Sequence, residues 1–197
     1  LQVALAKANA NNQRVLVLWS WKGDPEGERF AKWLEEEAEV ARKLLYEYRE
    51  ARLYSLPRDG SDEPGGGMDL NRLEEPTLTI FDAKQNVLGN QAVSHFSVKE
   101  GGWDTKKLLA WLEEHQAEPW NAQERLIKAV GRARAANKRL LVTFGAPWCG
   151  WCHRLEDHLA LAEVHERIDA DFDVLKIDID REISGKDVML RYRGSEG

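Results

Sequence analysis

Both cysteines of the chain lie in the stretch WCGWCH, residues 148–153. As Cys-x-x-Cys, Cys149 and Cys152 are a dithiol that can open and close disulfides. As Cys-x-x-Cys-His they have the spacing at which haem is attached in c-type cytochromes. Zinc is a third chemistry, since the two thiolates with two of His153, His158 and His165 make an acceptable ligand set. No other cysteine is present, so there is no disulfide framework to staple the fold, and a lone pair at this spacing points to redox, metal or haem chemistry.

The elements that must position this pair are written twice. Shifting the sequence by 125 positions lays residues 4–34 over 129–159 without a gap, and nine of the 31 pairs are identical, among them Ala8 with Ala133, Asn12 with Asn137, Arg14 with Arg139, Val17 with Val142 and Leu34 with Leu159. Val15 with Leu140 and Trp19 with Phe144 keep the apolar character, so an internal duplication is the economical reading. The cysteines fall opposite Asp24 and Gly27. The first copy lacks their chemistry.

Each copy opens with an Ala-rich helical stretch ending at a basic turn, NNQR or ANKR, followed by a short apolar run that reads as a buried parallel strand. A loop leads into a charged amphipathic helix, with Phe30, Trp33 and Leu34 on its apolar side in the first copy and Leu155 and Leu159 in the second. Another strand follows, near residues 50–56 and 172–179, and the alternation implies βαβ units. Only the first copy goes further. After a Pro/Gly-rich loop at 57–67 and a short helical piece at 68–73 come a strand at 77–81, a turn at 82–86, a second strand and a closing helix from about Asp104. The second copy stops about where the first reaches Glu75.

The 197 residues are 43% hydrophobic and 31% charged, ordinary for a soluble globular protein. No apolar run approaches the roughly 18 residues of a membrane span. A formal charge of −6 gives no electrostatic case for nucleic acid. Residues 1–118 carry 15 Lys+Arg against 21 Asp+Glu, and 119–197 carry 13 against 13, so all the excess acid lies in the first part. The chain begins at Leu1 without an initiator Met, and is expected to be a mature or trimmed form.

The order strand, APWCGWCH, helix, with a Pro-Thr before the next strand in the sister copy, resembles the thioredoxin superfamily, and FGAPWCGWCHRLE looks like its exported, thioredoxin-like bacterial members. The resemblance implies an α/β fold of two tandem thioredoxin-like domains, each a central mixed sheet flanked by helices. Residues 1–118 form the one without Cys-x-x-Cys, and 119–197 the one with it, lacking its last strands and helix. It further implies protein disulfides or dithiols as substrates, a redox partner, no cofactor, and a periplasmic or exported location, with a cytoplasmic one as the alternative. The family's Pro before that strand is cis, and Pro76 matches the position.

On this reading Cys149 and Cys152 are catalytic, with Pro147, Trp148, Gly150, Trp151 and His153 supporting them. If Cys149 begins the helix, unpaired backbone N–H groups and the positive helix end favour its thiolate, and Cys152, one turn further in, resolves the mixed disulfide. His153 shares a helix face with Cys149, and a protonated imidazole there further favours the thiolate, against the plainer reading of a solvated surface histidine. Trp148 and Trp151 offer an apolar lip for an unfolded substrate, with simple packing the alternative for Trp151. Gly150 and Trp151 are the intervening residues that tune the potential in this superfamily. One departure stands out: where the resembling families place a buried carboxylate on the preceding strand, this chain has Thr143, whose hydroxyl is no base near neutral pH. Deprotonation of Cys152 then rests on water, substrate or another group.

Against haem, with Met189 as distal ligand, stands the buried strand RLLVTF directly before the motif. Against zinc stand His158 and His165, which fall on expected charged helix surface. The competitor of a different class is a binding or adaptor protein, with residues 1–118 as recognition module and the dithiol vestigial or regulatory. From the comparison of copies, the native polypeptide is expected to continue past Gly197 with a Pro, a β-hairpin and a helix, or a partner chain to cover the second sheet's open edge.

Overall fold

The structure, a computed structural model, describes residues 1–55 and 74–193. The loop expected at 57–67 and the helical piece expected at 68–73 lie outside the described residues. The chain divides into two compact units, Leu1–Glu118 and Pro119–Gly197.

The first unit runs α1 (Gln2–Ala10), β1 (Arg14–Trp21), α2 (Pro25–Glu36), α3 (Ala38–Glu47), β2 (Tyr48–Ser55), β3 (Thr77–Phe81), β4 (Val87–Ala92) and α4 (Thr105–His115). Its sheet is mixed, in the order β2-β1-β3-β4. Strand β1 pairs in parallel with β2 from Arg14↔Tyr48 to Trp21↔Ser55, and antiparallel with β3 from Val15↔Phe81 to Trp19↔Thr77. Neighbours on both edges bury β1 from Val15 to Ser20. Because successive side chains of a strand point to opposite faces, its residues are sorted between two cores. Val15, Val17 and Trp19 pack with Leu5 and Ala8 of α1 and with Phe81. Leu16 and Leu18 pack with Phe30, Leu34, Val40 and Leu44 of α2 and α3 and with Leu108 and Leu112 of α4. Each such side chain, taken out of water, contributes about 1.5–3 kcal/mol.

The second unit runs α5 (Ala122–Ala135), β5 (Arg139–Gly145), α6 (Gly150–Leu159), α7 (Ala162–Asp171), β6 (Phe172–Asp178) and α8 (Gly185–Tyr192). Its sheet has two strands among the described residues, β5 parallel to β6 from Arg139↔Phe172 to Gly145↔Asp178. An antiparallel neighbour such as β3 is what makes the first sheet mixed, and among the described residues β5 pairs only with β6. Its core is correspondingly small: Leu126, Leu175, Ile177 and Val188 with Ala122 and Ala129, against which Leu140, Val142 and Phe144 are only partly buried. Leu155, expected on the apolar side of its helix, is 47% exposed.

Positions 125 residues apart adopt like conformations. Helices α1 and α5 end at Ala10 and Ala135, and strands β1 and β5 begin at Arg14 and Arg139. Between them Asn12 and Asn137 each take a left-handed φ of 53°, which asparagine tolerates better than most residues. The helical segment after each apolar strand is two helices. Glu37 breaks the first with an extended ψ of 105°, and Leu161 the second with 133°. Neither position holds a Pro or Gly to announce the break. The bond before Pro76 is trans, not cis as the resemblance implied, since no cis peptide occurs among the described residues. Its carbonyl accepts a hydrogen bond from Val93 N at 2.8 Å.

The two strand-to-helix junctions exchange volume. At the first, a Cβ on Gly27 would lie 2.9 Å from Ser20 Cβ and 2.7 Å from Asp24 Oδ2. At the second, the larger residue is Cys152 on the helix and the smaller is Gly145 on the strand, where an added Cβ would lie 3.3 Å from Cys152 Cβ. A second β-carbon would force a shift at the first junction and make a tight contact at the second. Gly27→Ala should therefore destabilise the first unit by about 1–2 kcal/mol net of its helix propensity. Combined with Ser20→Gly, it should cost less than the sum of the single changes by about 0.5 kcal/mol or more in a urea-melt double-mutant cycle. Strict additivity would show that the two positions do not compete for space.

Candidate functional site

The second strand-to-helix junction carries the cysteines. Strand β5 delivers the chain to Gly145, and Cys149 is the N-cap of α6, with an extended backbone of φ −82° and ψ 91°. A helix leaves its first backbone N–H groups without internal partners, and here a sulfur takes the place usual for an oxygen: Cys149 Sγ accepts from Cys152 N at 3.2 Å. Cys149 N donates to the Ala146 carbonyl at 3.0 Å, closing the turn before the helix. The sulfurs of Cys149 and Cys152 are bonded as a disulfide. Both residues are half-buried, and Cys152 Sγ lies 3.8 Å from the Phe144 carbonyl oxygen.

The supporting residues divide by environment. Trp148 is 61% and Trp151 77% exposed, so neither is packed into the core and both flank the disulfide as apolar surface. Trp148 is held in place: its Nε1 donates to Asp180 Oδ2 at 2.7 Å. Trp151 carries the Arg154 guanidinium 4.6 Å from its ring centre, a cation–π contact. Gly150, the first residue of α6, has open space where a side chain would stand. His153 is partly exposed, and its Nε2 lies 2.9 Å from the Pro147 carbonyl. A carbonyl only accepts, so Nε2 carries the proton, and the ring ties α6 back to the loop that leads into it.

Around Glu156 the polar groups converge. Its Oε1 is 2.7 Å from Lys176 Nζ on β6, and its Oε2 is 3.8 Å from His153 Nδ1. Thr143, on β5, is paired in register with Lys176.

The loop between β6 and α8 supplies Asp180. Asp178 Oδ1 accepts from the backbone N–H groups of Asp180 and Arg181, both at 3.0 Å. Ile179 N donates to the Gly145 carbonyl at 2.8 Å, fixing this loop to the end of β5. Glu182 Oε1 accepts from Asp178 N at 3.1 Å and forms an ion pair with Arg125 of α5. Burial pushes the Glu182 carboxyl above its ordinary value, against the opposing pull of the Asp178 N–H and of Arg125. Arg125 stacks on Trp120, 4.1 Å from the ring centre. The scaffold of the site thus reaches through this loop back to the start of the unit.

Of the residues singled out in the sequence, Pro147 to His153 stand together at this junction. His158 and His165 are exposed on α6 and α7. Among the described residues, no group of three or more His, Cys, Asp and Glu side chains is arranged to hold a metal ion, and no helix is long and apolar enough to cross a membrane. Asp180, Gly145, Lys176 and Glu156 were not singled out. Asp180 lies 32 residues from Trp148 with no local pattern joining them. Glu156 had a usable signal, its four-residue spacing from Cys152 on one helix face.

No curated protein matches the chain. A family model described as thioredoxin-like matches residues 120–193. The segment that holds the Cys149–Cys152 disulfide is therefore a thioredoxin-like domain.

Proposed function

We propose that the protein is a thiol–disulfide oxidoreductase acting on protein disulfides through Cys149 and Cys152, with Cys149 attacking and Cys152 resolving. The observation that carries this reading is the disulfide seated at the N-terminus of α6, with Cys149 as the cap residue. When the bond is reduced, negative charge on Cys149 is stabilised by the Cys152 amide and the positive end of the helix. The thiolate attacks one sulfur of a substrate disulfide and expels the other as thiolate. Cys152 then attacks Cys149, and the substrate leaves with two electrons and the dithiol's remaining proton. Run in reverse, the couple oxidises.

The first unit serves recognition, as a second, tandem thioredoxin-like module. Asp24 occupies the cap position that Cys149 has, and accepts from Glu26 N at 3.1 Å. Gly27 stands where Cys152 does. That unit keeps the junction and has none of its redox chemistry. A periplasmic or exported bacterial setting is proposed from the likeness of FGAPWCGWCHRLE to exported family members.

Cys152→Ser should accumulate covalent mixed disulfides with a reducible protein substrate such as insulin, and Cys149→Ser should accumulate none, as read on non-reducing gels. Equal trapping by both, or by neither, would contradict the assignment. The pinned indole of Trp148 gives a second expectation. Asp180→Ala should raise KM for an unfolded protein disulfide about fivefold, the equivalent of one hydrogen bond of about 1 kcal/mol, and leave turnover of a small-molecule disulfide unchanged. Equal effects on both substrates would remove Trp148 from the recognition surface.

A further inference from the structure

Cys152 can attack only after its proton has left, because the thiolate is the nucleophile. Strand β5 offers Thr143, a hydroxyl, which does not accept a proton near neutral pH. Helix α6 offers a carboxylate. Glu156 stands one turn beyond Cys152, a spacing that puts the two on one face, and that face is turned to Gly145. A Cβ built on Gly145 would lie 3.6 Å from Cys152 Sγ and 3.8 Å from Glu156 Oε1. Sulfur and carboxylate therefore line the same small space, which exists because residue 145 has no side chain.

The carboxylate is half-buried and held there. Lys176 reaches it from β6 at 2.7 Å, and His153 Nδ1 faces it from α6 at 3.8 Å. The neighbour on β5, Gly145, does not titrate. The first unit is an internal comparison. Arg52 is paired opposite Leu18 as Lys176 is opposite Thr143, but its ion-pair partner is Glu35, one turn further along the helix than the position equivalent to Glu156. That equivalent position is Ala31, which is 3% exposed. The unit with cysteines carries its paired carboxylate one turn nearer the start of the helix than the unit without.

Building on the oxidoreductase reading, we propose that Glu156 is the proton acceptor for Cys152 during resolution, held beside it by Lys176 in the space left by Gly145. The mixed disulfide joins Cys149 to the substrate. The Cys152 thiol gives its proton to the Glu156 carboxylate, and the resulting thiolate bonds to Cys149 Sγ. The bond from Cys149 to the substrate sulfur breaks, and the electron pair leaves on that sulfur. The proton on Glu156 passes to the departing thiolate or to water. No further oxidant or reductant enters. In the oxidising direction Glu156 returns the proton to Cys152.

Stopped-flow mixing of the reduced full chain with an aromatic bis(nitrobenzoate) disulfide separates the steps, since a coloured thiolate is released once by Cys149 attack and again on resolution. Glu156→Gln, and Glu156→Ala, which copies the residue the sister unit carries, should slow the second release about tenfold or more near neutral pH. The first release should stay within about twofold. The slowed phase should recover toward the wild-type rate as pH rises to the thiol's own ionisation, roughly 8.5. An unchanged second phase in either folded variant overturns the proposal. So does a loss in both phases at every pH, which is the signature of lost structure. Absence of the first release in the wild type would instead overturn the oxidoreductase reading, and this proposal with it.

Discussion

The site depends on one contact: the sulfur of Cys149 acting as the cap of α6. A helix start must satisfy backbone donors that have no partner inside the helix, and this one does so with the Cys149 sulfur. In the proposed cycle the same hydrogen bond favours the Cys149 thiolate once the disulfide is reduced. Cys149 must therefore be the last residue before the helix, and Cys152 falls one turn inside, where its sulfur meets the first across the turn. The Pro147 carbonyl bound by His153 and the Ala146 carbonyl bound by Cys149 N hold the approach to that cap.

The first unit has the corresponding strand-to-helix junction without cysteines. Asp24 caps α2 through an oxygen, and Pro25 begins the helix with its fixed φ, as suits a first helical position. Asp24 is 2% exposed, with Oδ2 making no hydrogen bond. The side chain at the contact between strand and helix is on the strand in one unit, Ser20 against Gly27, and on the helix in the other, Cys152 against Gly145. The exchange has a chemical consequence in the second unit. It moves the side-chain volume from strand to helix, so that a thiol and a carboxylate share the space beside the backbone of β5.

Much of this was legible in the sequence because the determinants are local. The apolar run VLVLW marked β1, the turn residues around 82–86 marked the β3–β4 hairpin, and the dithiol spacing marked the site. Unit 1's expected strand at 77–81 is β3, Thr77–Phe81. The helix breaks at Glu37 and Leu161 were not legible, since neither position holds a breaker residue. Pro76 carried an implied geometry that the bond before it does not have. The Trp148–Asp180 bond joins a loop to another loop 32 residues away, and no periodicity encodes it.

The central claim is that Cys149 and Cys152 are a working redox couple for protein disulfides rather than a structural bridge. Reduction of insulin by dithiothreitol, followed by the turbidity of the freed chains with and without catalytic amounts of the full protein, tests it most directly. The account predicts a marked shortening of the lag by the wild type and none by Cys149→Ser. A wild-type time course that overlays the protein-free one would contradict it.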